Sequence, residues 1–325
     1  MKPKVFVTRR IPDSGIKLLQ PHCQVKVYSP DKVIPRKELL LGVKWCDALL
    51  CLLTDTIDKE VIDANPTLKI IANYAVGYDN IDVLYATKKR IPVTNTPGAL
   101  EHAVAEHTFA LLMAVTRRIV EADTFMRQGK YKHWEPNLLI GMELQGKTIG
   151  IVGLGRIGSG VAQRAVAMQM KVLYSDVKRN EEFERIYSAK FVPFPALLKT
   201  ADVISLHVPL LPATRHLIGK KELAQMKKTA YLINTSRGAV IDEKALVFAL
   251  QQKQIAGAGM DVYEFEPVLT KGLTALSNVV LTPHIASATT EARSAMSVVA
   301  AKNILAVLEG KQAPNAVNKG VYGEG

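Results

Sequence analysis

The sequence predicts an α/β fold of two doubly wound parallel-sheet domains with a cleft between them. Short β-branched apolar runs alternate with helical patterns, the alternation restarts after an interruption, and 325 residues leave room for about two domains. The first series places strands at 5–8, 25–28, 48–53, 69–72 and 92–94, with helices at 12–20, 58–64 and 80–89. After the breaker Pro97-Gly98, a helix is expected over 101–128, its stripe Ala105, Phe109, Leu112, Thr116, Ile119, Ala122 and Met126 recurring every three or four residues. At about 1.5 Å per residue it would exceed roughly 40 Å, so it reads as a connector with one face to bury, another subunit being one candidate for it. The second series places strands at 148–152, 171–175, 191–192, 203–207, 230–234, 256–260 and 279–281, with helices at 156–169, 220–228 and 242–253. A last helix over about 288–309, with Ala295, Val298, Ala301, Leu305 and Leu308 on one stripe, follows the final strand and can return to the first domain.

Composition excludes several classes. Hydrophobic residues at 48% and charged ones at 22% are those of a globular chain and too apolar for a disordered one. The longest stretch without Asp, Glu, Lys or Arg, 272–290, carries Asn278, Pro283 and His284 and does not read as a membrane span. The start of the chain runs into a strand and then Arg9-Arg10, without an apolar leader, which sets the expectation of a cytoplasmic protein. The net charge of +12 comes from scattered basic pairs with few interleaved aromatics. It is read as a field that draws small anions rather than as a nucleic-acid surface. Cys23, Cys46 and Cys51 have neither the number nor the spacing of a disulfide framework or zinc site, so no metal is expected.

The most specific motif is Gly153-Leu154-Gly155-Arg156-Ile157-Gly158, between a strand and a helix. Gly153 permits a tight turn, Gly155 lets backbone approach a pyrophosphate, and Gly158 lets helix and strand close-pack. The helix N-terminus then offers N–H groups to phosphates. Asp176 ends the next strand, where a carboxylate accepts hydrogen bonds from ribose hydroxyls and repels a 2′-phosphate. Lys178 and Arg179 follow and would welcome that phosphate. Asp176 holds the strand end itself, so the expected cofactor is NAD, with NADP the alternative and the basic pair a solvated, screened turn.

Ligands of open α/β sheets sit beyond the carboxyl ends of the strands. The second series ends its strands in His207-Val208-Pro209, Thr235-Ser236-Arg237-Gly238, Asp261 with Glu264 and Glu266, and Thr282-Pro283-His284. An imidazole can donate the proton that a carbonyl needs as it accepts hydride, a carboxylate can raise and orient that imidazole, and an arginine fork can bind a carboxylate. Position alone does not choose between His207 and His284, or among Asp261, Glu264 and Glu266. The other histidines, His22, His102, His107, His133 and His216, read as surface or helix residues.

The chain is similar over residues 3–318 to the D-2-hydroxyacid dehydrogenases, and among them to the glyoxylate/hydroxypyruvate reductases. The strings that carry the resemblance are NYAVGYDNID (73–82), GLGRIG (153–158), INTSRGAVID (233–242), AGAGMDVYEFEP (256–267) and LTPHIAS (281–287). It implies two Rossmann-like domains: a discontinuous substrate-binding one of 1–99 and 287–325, and an NAD-binding one of 100–286. It implies that Arg237 clamps the substrate, Glu266 tunes the histidine and His284 is the acid/base. His207 would lie beside the cofactor and Asp261 near the nicotinamide amide, with further cofactor contacts from Thr108, Val208, Pro209, Thr235, Ser236 and Ser287. The turn at Val76-Gly77 would hold the substrate carboxylate on backbone N–H groups, and Leu53 would cap the substrate's far side. Trp134 is a weaker pocket candidate. Ala286 departs from the glycine that such reductases often carry there. A homodimer built through the cofactor domain is also implied.

The expected activity is NAD(P)H-dependent reduction of glyoxylate or hydroxypyruvate to the D-2-hydroxy acid. The alternatives are a D-lactate-type dehydrogenase, a phosphite dehydrogenase, against which Val76 stands where those enzymes carry Lys, or a non-enzymatic NAD-sensing scaffold like the C-terminal-binding corepressors.

Overall fold

Every paired strand is parallel to its neighbours, so all functional loops leave the carboxyl ends of two sheets. A computed structural model describes residues 1–323. They form two units, one of Met1–Leu100 joined by the segment from Ala288 onward, the other of Glu101–Ser287.

The first unit runs β1 (Lys4–Val7), α1 (Asp13–Leu19), β2 (Gln24–Val27), α2 (Arg36–Trp45), β3 (Ala48–Cys51), α3 (Lys59–Asp63), β4 (Ile70–Asn73), α4 (Val83–Lys88) and β5 (Val93–Thr94), in sheet order β2-β1-β3-β4-β5. Strands β3 and β4 are buried along their whole length, which is why they read as unbroken apolar runs rather than alternating ones. Asp58 and Asp82 start α3 and α4 by accepting the Val61 and Tyr85 N–H groups.

The second unit begins with α5 (Glu101–Thr116) and α6 (Ile119–Arg127). It continues through β6 (Thr148–Val152), α7 (Arg156–Ala167), β7 (Lys171–Ser175), α8 (Glu181–Tyr187), β8 (Lys190–Phe191), α9 (Phe194–Thr200), β9 (Val203–Leu206), α10 (Lys220–Leu223), β10 (Tyr231–Asn234), α11 (Glu243–Gln251), β11 (Gly257–Met260) and β12 (Val279–Leu281). Its sheet order is β12-β11-β10-β9-β6-β7-β8. The winding reverses between β6 and β9, the place where such sheets open a crevice. The last helix, α12 (Thr290–Leu308), returns to the first unit.

The single helix expected over 101–128 is two helices. Arg118 takes a left-handed φ of 53°. The Thr116 carbonyl, instead of continuing the ladder, accepts the Met142 N–H at 2.9 Å. The apolar stripe is indifferent to this break, because its spacing survives a change of direction. The helix expected over 220–228 ends at Leu223: Gln225 and Met226 donate to carbonyls three residues back, a tighter winding that sends both Leu223 and Met226 into the core. Helices α2, α8 and α9 had no counterpart in the sequence reading; α8 and α9 are only seven residues long, too short for periodicity to stand out.

Helix α12 is held by α1 through a glycine. Gly15 N–H donates to Ser297 Oγ at 3.0 Å, that hydroxyl donates to the Pro12 carbonyl at 2.7 Å, and Ser14 Oγ donates to the Ser294 carbonyl at 3.1 Å. A Cβ on Gly15 would lie 2.1 Å from the Ser297 carbonyl oxygen. Gly15→Ala is expected to push the helices apart and destabilise the chain by about 1–3 kcal/mol. Denaturant unfolding checks this; an unchanged midpoint would show that the two helices separate freely.

Candidate active site

The glycine string forms the turn from β6 into α7. Gly153 has φ 91°, and a Cβ there would lie 2.8 Å from the His207 carbonyl oxygen; one on Gly158 would lie 2.0 Å from the Gly153 carbonyl. A Cβ on Gly155, by contrast, would meet nothing within 4 Å. Two glycines close the turn against β9 and the strand, and the third leaves its outer side open. No side chain caps α7, so its first N–H groups remain for an anion, and the cradle fits a dinucleotide pyrophosphate. Leu154 is buried, Ile157 is half-buried against the core of this unit, and Arg156 is exposed, lying 3.6 Å from Glu101. Asp176 caps this turn: its carboxylate accepts the Leu154 and Val177 N–H groups, both at 2.6 Å. Lys178 and Arg179 are both exposed, as expected of this turn, but Arg179 is also paired: its Nε and Nη2 donate to Glu184 at 2.8 Å.

His207, at the end of β9, bonds Ser205 Oγ through Nε2 at 2.8 Å, and burial pushes its imidazole down to about 3. It has no carboxylate partner among the described residues. Val208 and Pro209 continue outward from it. Thr108 of α5 and Thr235 after β10 share a buried hydroxyl–hydroxyl bond of 2.9 Å, and Ser236 Oγ donates to Asn234 Oδ1 at 2.8 Å.

The second constellation joins three loops. His284 Nδ1 and Glu266 Oε2 are 2.9 Å apart, and Glu266 Oε1 accepts the Tyr263 N–H at 2.9 Å. Burial alone would raise the Glu266 carboxyl, but the bond and charge of His284, the Tyr263 N–H and the charge of Arg237 together hold it below the usual glutamate range. Arg237 is brought there by Gly238, at which a Cβ would lie 1.8 Å from the Tyr263 backbone. Its Nη1 donates to the Ser236 carbonyl at 2.9 Å. The alternatives left open in the sequence therefore separate. Glu264 is engaged elsewhere, with Arg215 at 3.0 Å and with the exposed His216 at 2.6 Å. Of the carboxylates considered, only Glu266 faces His284.

Asp261 is fully buried and builds the turn that carries His284. Its Oδ1 accepts Thr282 Oγ1 at 2.6 Å and the Ile285 N–H at 2.8 Å, its Oδ2 accepts the Ala286 N–H at 2.8 Å, and its carbonyl accepts the His284 N–H at 2.8 Å. His284 itself sits at φ 54°, a conformation such a web has to impose. Burial raises the Asp261 carboxyl, yet His107, Thr282 and the two N–H groups outweigh it and hold it below the usual range. His107, read from sequence as an ordinary helix residue, is part of this web: its Nε2 lies 3.0 Å from Thr282 Oγ1 and 3.5 Å from Asp261. Its only sequence signal was a histidine one residue before Thr108. The methyl of Ala286 is buried and Ser287 closes the segment; Trp134 is largely exposed.

In the first unit, Leu53 follows β3 and Val76-Gly77 follow β4. Asn80 Nδ2 donates to the Leu52 and Asp55 carbonyls, at 3.1 and 3.0 Å, tying the two loops. The Val76 and Gly77 carbonyls are taken by Asn95 and Asn73, each at 2.8 Å. Among the described residues, neither of their N–H groups meets an acceptor.

Residues 109–286, more than half of the chain, match the model of the D-isomer specific 2-hydroxyacid dehydrogenase NAD binding domain. The chain is 53% identical to a glyoxylate reductase of Thermococcus litoralis, covering 99% of this chain and 98% of that one. It superposes with TM-score 0.91 on the TT0316 protein of Thermus thermophilus (44% identity, 97% and 99% covered). With TM-score 0.86 it matches an NADPH-dependent glyoxylate/hydroxypyruvate reductase of Sinorhizobium meliloti in complex with NADP and malonate (30% identity, 98% and 97% covered). The chain belongs to the D-isomer specific 2-hydroxyacid dehydrogenase family and is an NAD(P)-dependent oxidoreductase.

Asp261→Asn leaves at least one buried N–H without its acceptor and is expected to destabilise the second unit by about 1–3 kcal/mol. Because the folded carboxyl sits below the ordinary value of about 3.9, the wild-type advantage is complete above that pH and fades as pH falls through the lower, folded value. Unfolding midpoints of both proteins across acidic pH check the size and the sign.

Proposed function

We propose that the protein reduces glyoxylate or hydroxypyruvate to the D-2-hydroxy acid, with NADH preferred over NADPH. The 2.9 Å contact between His284 Nδ1 and Glu266 is the observation that carries this reading. With Nδ1 committed to a carboxylate, Nε2 is the atom left to give a proton to the substrate oxygen. His207 is the poorer acid, being neutral at ordinary pH and without a carboxylate. Bound nicotinamide would supply the hydride. Arg237 clamps the substrate and polarises its carbonyl, while the unpaired N–H groups of Val76 and Gly77 take the substrate carboxylate and Leu53 bounds the side chain. The glycine turn, Asp176, Thr108, His207, Val208, Pro209, Thr235, Ser236, Asp261 and Ser287 serve the cofactor. The malonate held by the Sinorhizobium reductase is consistent with a carboxylate substrate.

The same reading includes a cytoplasmic homodimer with residues 1–99 and 287–325 as the substrate-binding domain. The segment from α6 onward exposes Ile119, Val120, Met126, Tyr131, Trp134 and Ile140. Beside it lies a groove of about 580 Å³, lined by Val120, Phe125, Ile140 and Val279 together with Arg118, Glu121 and Lys130; the exposed apolar side chains next to it are of the kind a second subunit covers. No helix among the described residues is long and apolar enough to cross a membrane.

A steady-state screen of glyoxylate, hydroxypyruvate, pyruvate and phosphite, each with NADH or NADPH or the oxidised form, is expected to give the highest kcat/KM for one of the first two with NADH. Phosphite oxidation as the best reaction would overturn the reading.

His284→Ala is expected to lower kcat by about two to four orders of magnitude, the weight of general acid catalysis. Arg237→Lys, which keeps charge but loses the fork, should impair both kcat and KM. If His207→Ala abolishes turnover while His284→Ala does not, the acid is misassigned.

A further inference from the structure

The two basic residues after Asp176 have opposite surroundings. Lys178 is exposed and in no ion pair among the described residues, whereas Arg179 is gripped from α8. Its Nε donates to Glu184 Oε1 and its Nη2 to Glu184 Oε2, both at 2.8 Å, the two-point geometry that a guanidinium would otherwise offer to a phosphate. Glu184 is itself fixed. Its side chain is only 16% exposed, and the hydroxyl of the fully buried Tyr174 donates to Oε1 at 2.7 Å while accepting the Asn180 N–H at 2.8 Å. Asn180 in turn caps α8 through the Phe183 N–H, and the Phe183 and Tyr187 rings pack 4.5 Å apart. The partners of the carboxylate are therefore supplied by β7 and by the turn that joins it to α8.

We infer that Glu184, oriented by Tyr174, is a specificity-determining residue that withholds Arg179 from the adenosine ribose and so reinforces the preference for NAD set by Asp176. Pulling Arg179 onto a 2′-phosphate would strip a largely covered carboxylate of its counter-ion. Both the Arg179 bonds and the Tyr174 hydroxyl hold Glu184 ionised, down to about 2. Asp176 repels the phosphate, and Glu184 removes the group that would have welcomed it. The inference rests on the proposed preference for NAD and adds the residue behind it.

The test is calorimetric binding of 2′,5′-ADP and of NADH to the full-length protein, with Asp176→Ser as background so that its repulsion is absent. Adding Glu184→Gln keeps an acceptor for Tyr174 but removes the charge hydrogen-bonded to Arg179, leaving only Glu181, 3.8 Å from Nη1 and itself exposed. It is expected to tighten 2′,5′-ADP by about tenfold, the factor of one charge-assisted hydrogen bond, and to leave NADH affinity where it was. Adding Arg179→Gln as a third change should cancel the gain. A Glu184→Gln protein with unaltered 2′,5′-ADP affinity overturns the inference, as does a gain that survives the loss of Arg179, which would assign the phosphate to Lys178. Arg179→Gln in the Asp176→Ser background leaves the Tyr174–Glu184 pair in place and should change nothing. Weaker 2′,5′-ADP binding there would mean that Arg179 is already free to reach the phosphate, and would overturn it too. A wild-type protein that binds NADPH more tightly than NADH fails the cofactor preference itself, and the inference with it.

Discussion

One buried negative charge organises the second unit. A carboxylate taken wholly out of water must be met by donors, and Asp261 is met by the Thr282 hydroxyl and the Ile285 and Ala286 N–H groups, with His107 beside it. Those donors come from α5 and from the segment after β12, so satisfying the charge also fixes where that segment turns. His284 rides on the turn in a left-handed conformation, and Glu266 meets it from the loop after β11. The geometry proposed for proton transfer is thus a consequence of solvating one aspartate with protein instead of water.

Close backbone approach is the second constraint. At Gly153, Gly158 and Gly238 there is no room for a Cβ because another main chain lies where it would be. The first two bring the α7 N-terminus over the carboxyl ends of β6 and β9, where the winding of the sheet reverses. The third lets the chain after β10 lie against the Tyr263–Glu264 peptide and so brings Arg237 toward Glu266. Gly155 is the exception, open on its outer side, and the difference separates glycines that pack from a glycine that leaves space.

Much of this was legible in the residues. Alternating apolar runs and helical stripes report local burial, so both sheets and most helices could be read, as could the glycine turn whose roles follow from sterics. The break at Arg118 was not legible, because what stops α5 is the Met142 N–H on the Thr116 carbonyl, a contact from twenty-odd residues downstream. His107 was set aside for the same reason: nothing beside it in the chain shows that it faces Thr282. The pairing of Arg179 was not legible because its partner lies on a helix too short to recognise.

The sequence by itself determined the α/β class, the dinucleotide turn and the set of strand-end residues from which a catalytic group could be drawn, since each depends on local sterics, spacing and burial. Position in the chain left the pairings open; the resemblance implied His284 with Glu266, and only the tertiary structure shows that contact, together with those of Glu264 with Arg215 and His216 and of Arg179 with Glu184. Such pairings join residues far apart in the chain or on separate elements. They are selected by which buried charge finds a donor of the right geometry once the sheet has brought the strand ends together, and no local pattern encodes that choice.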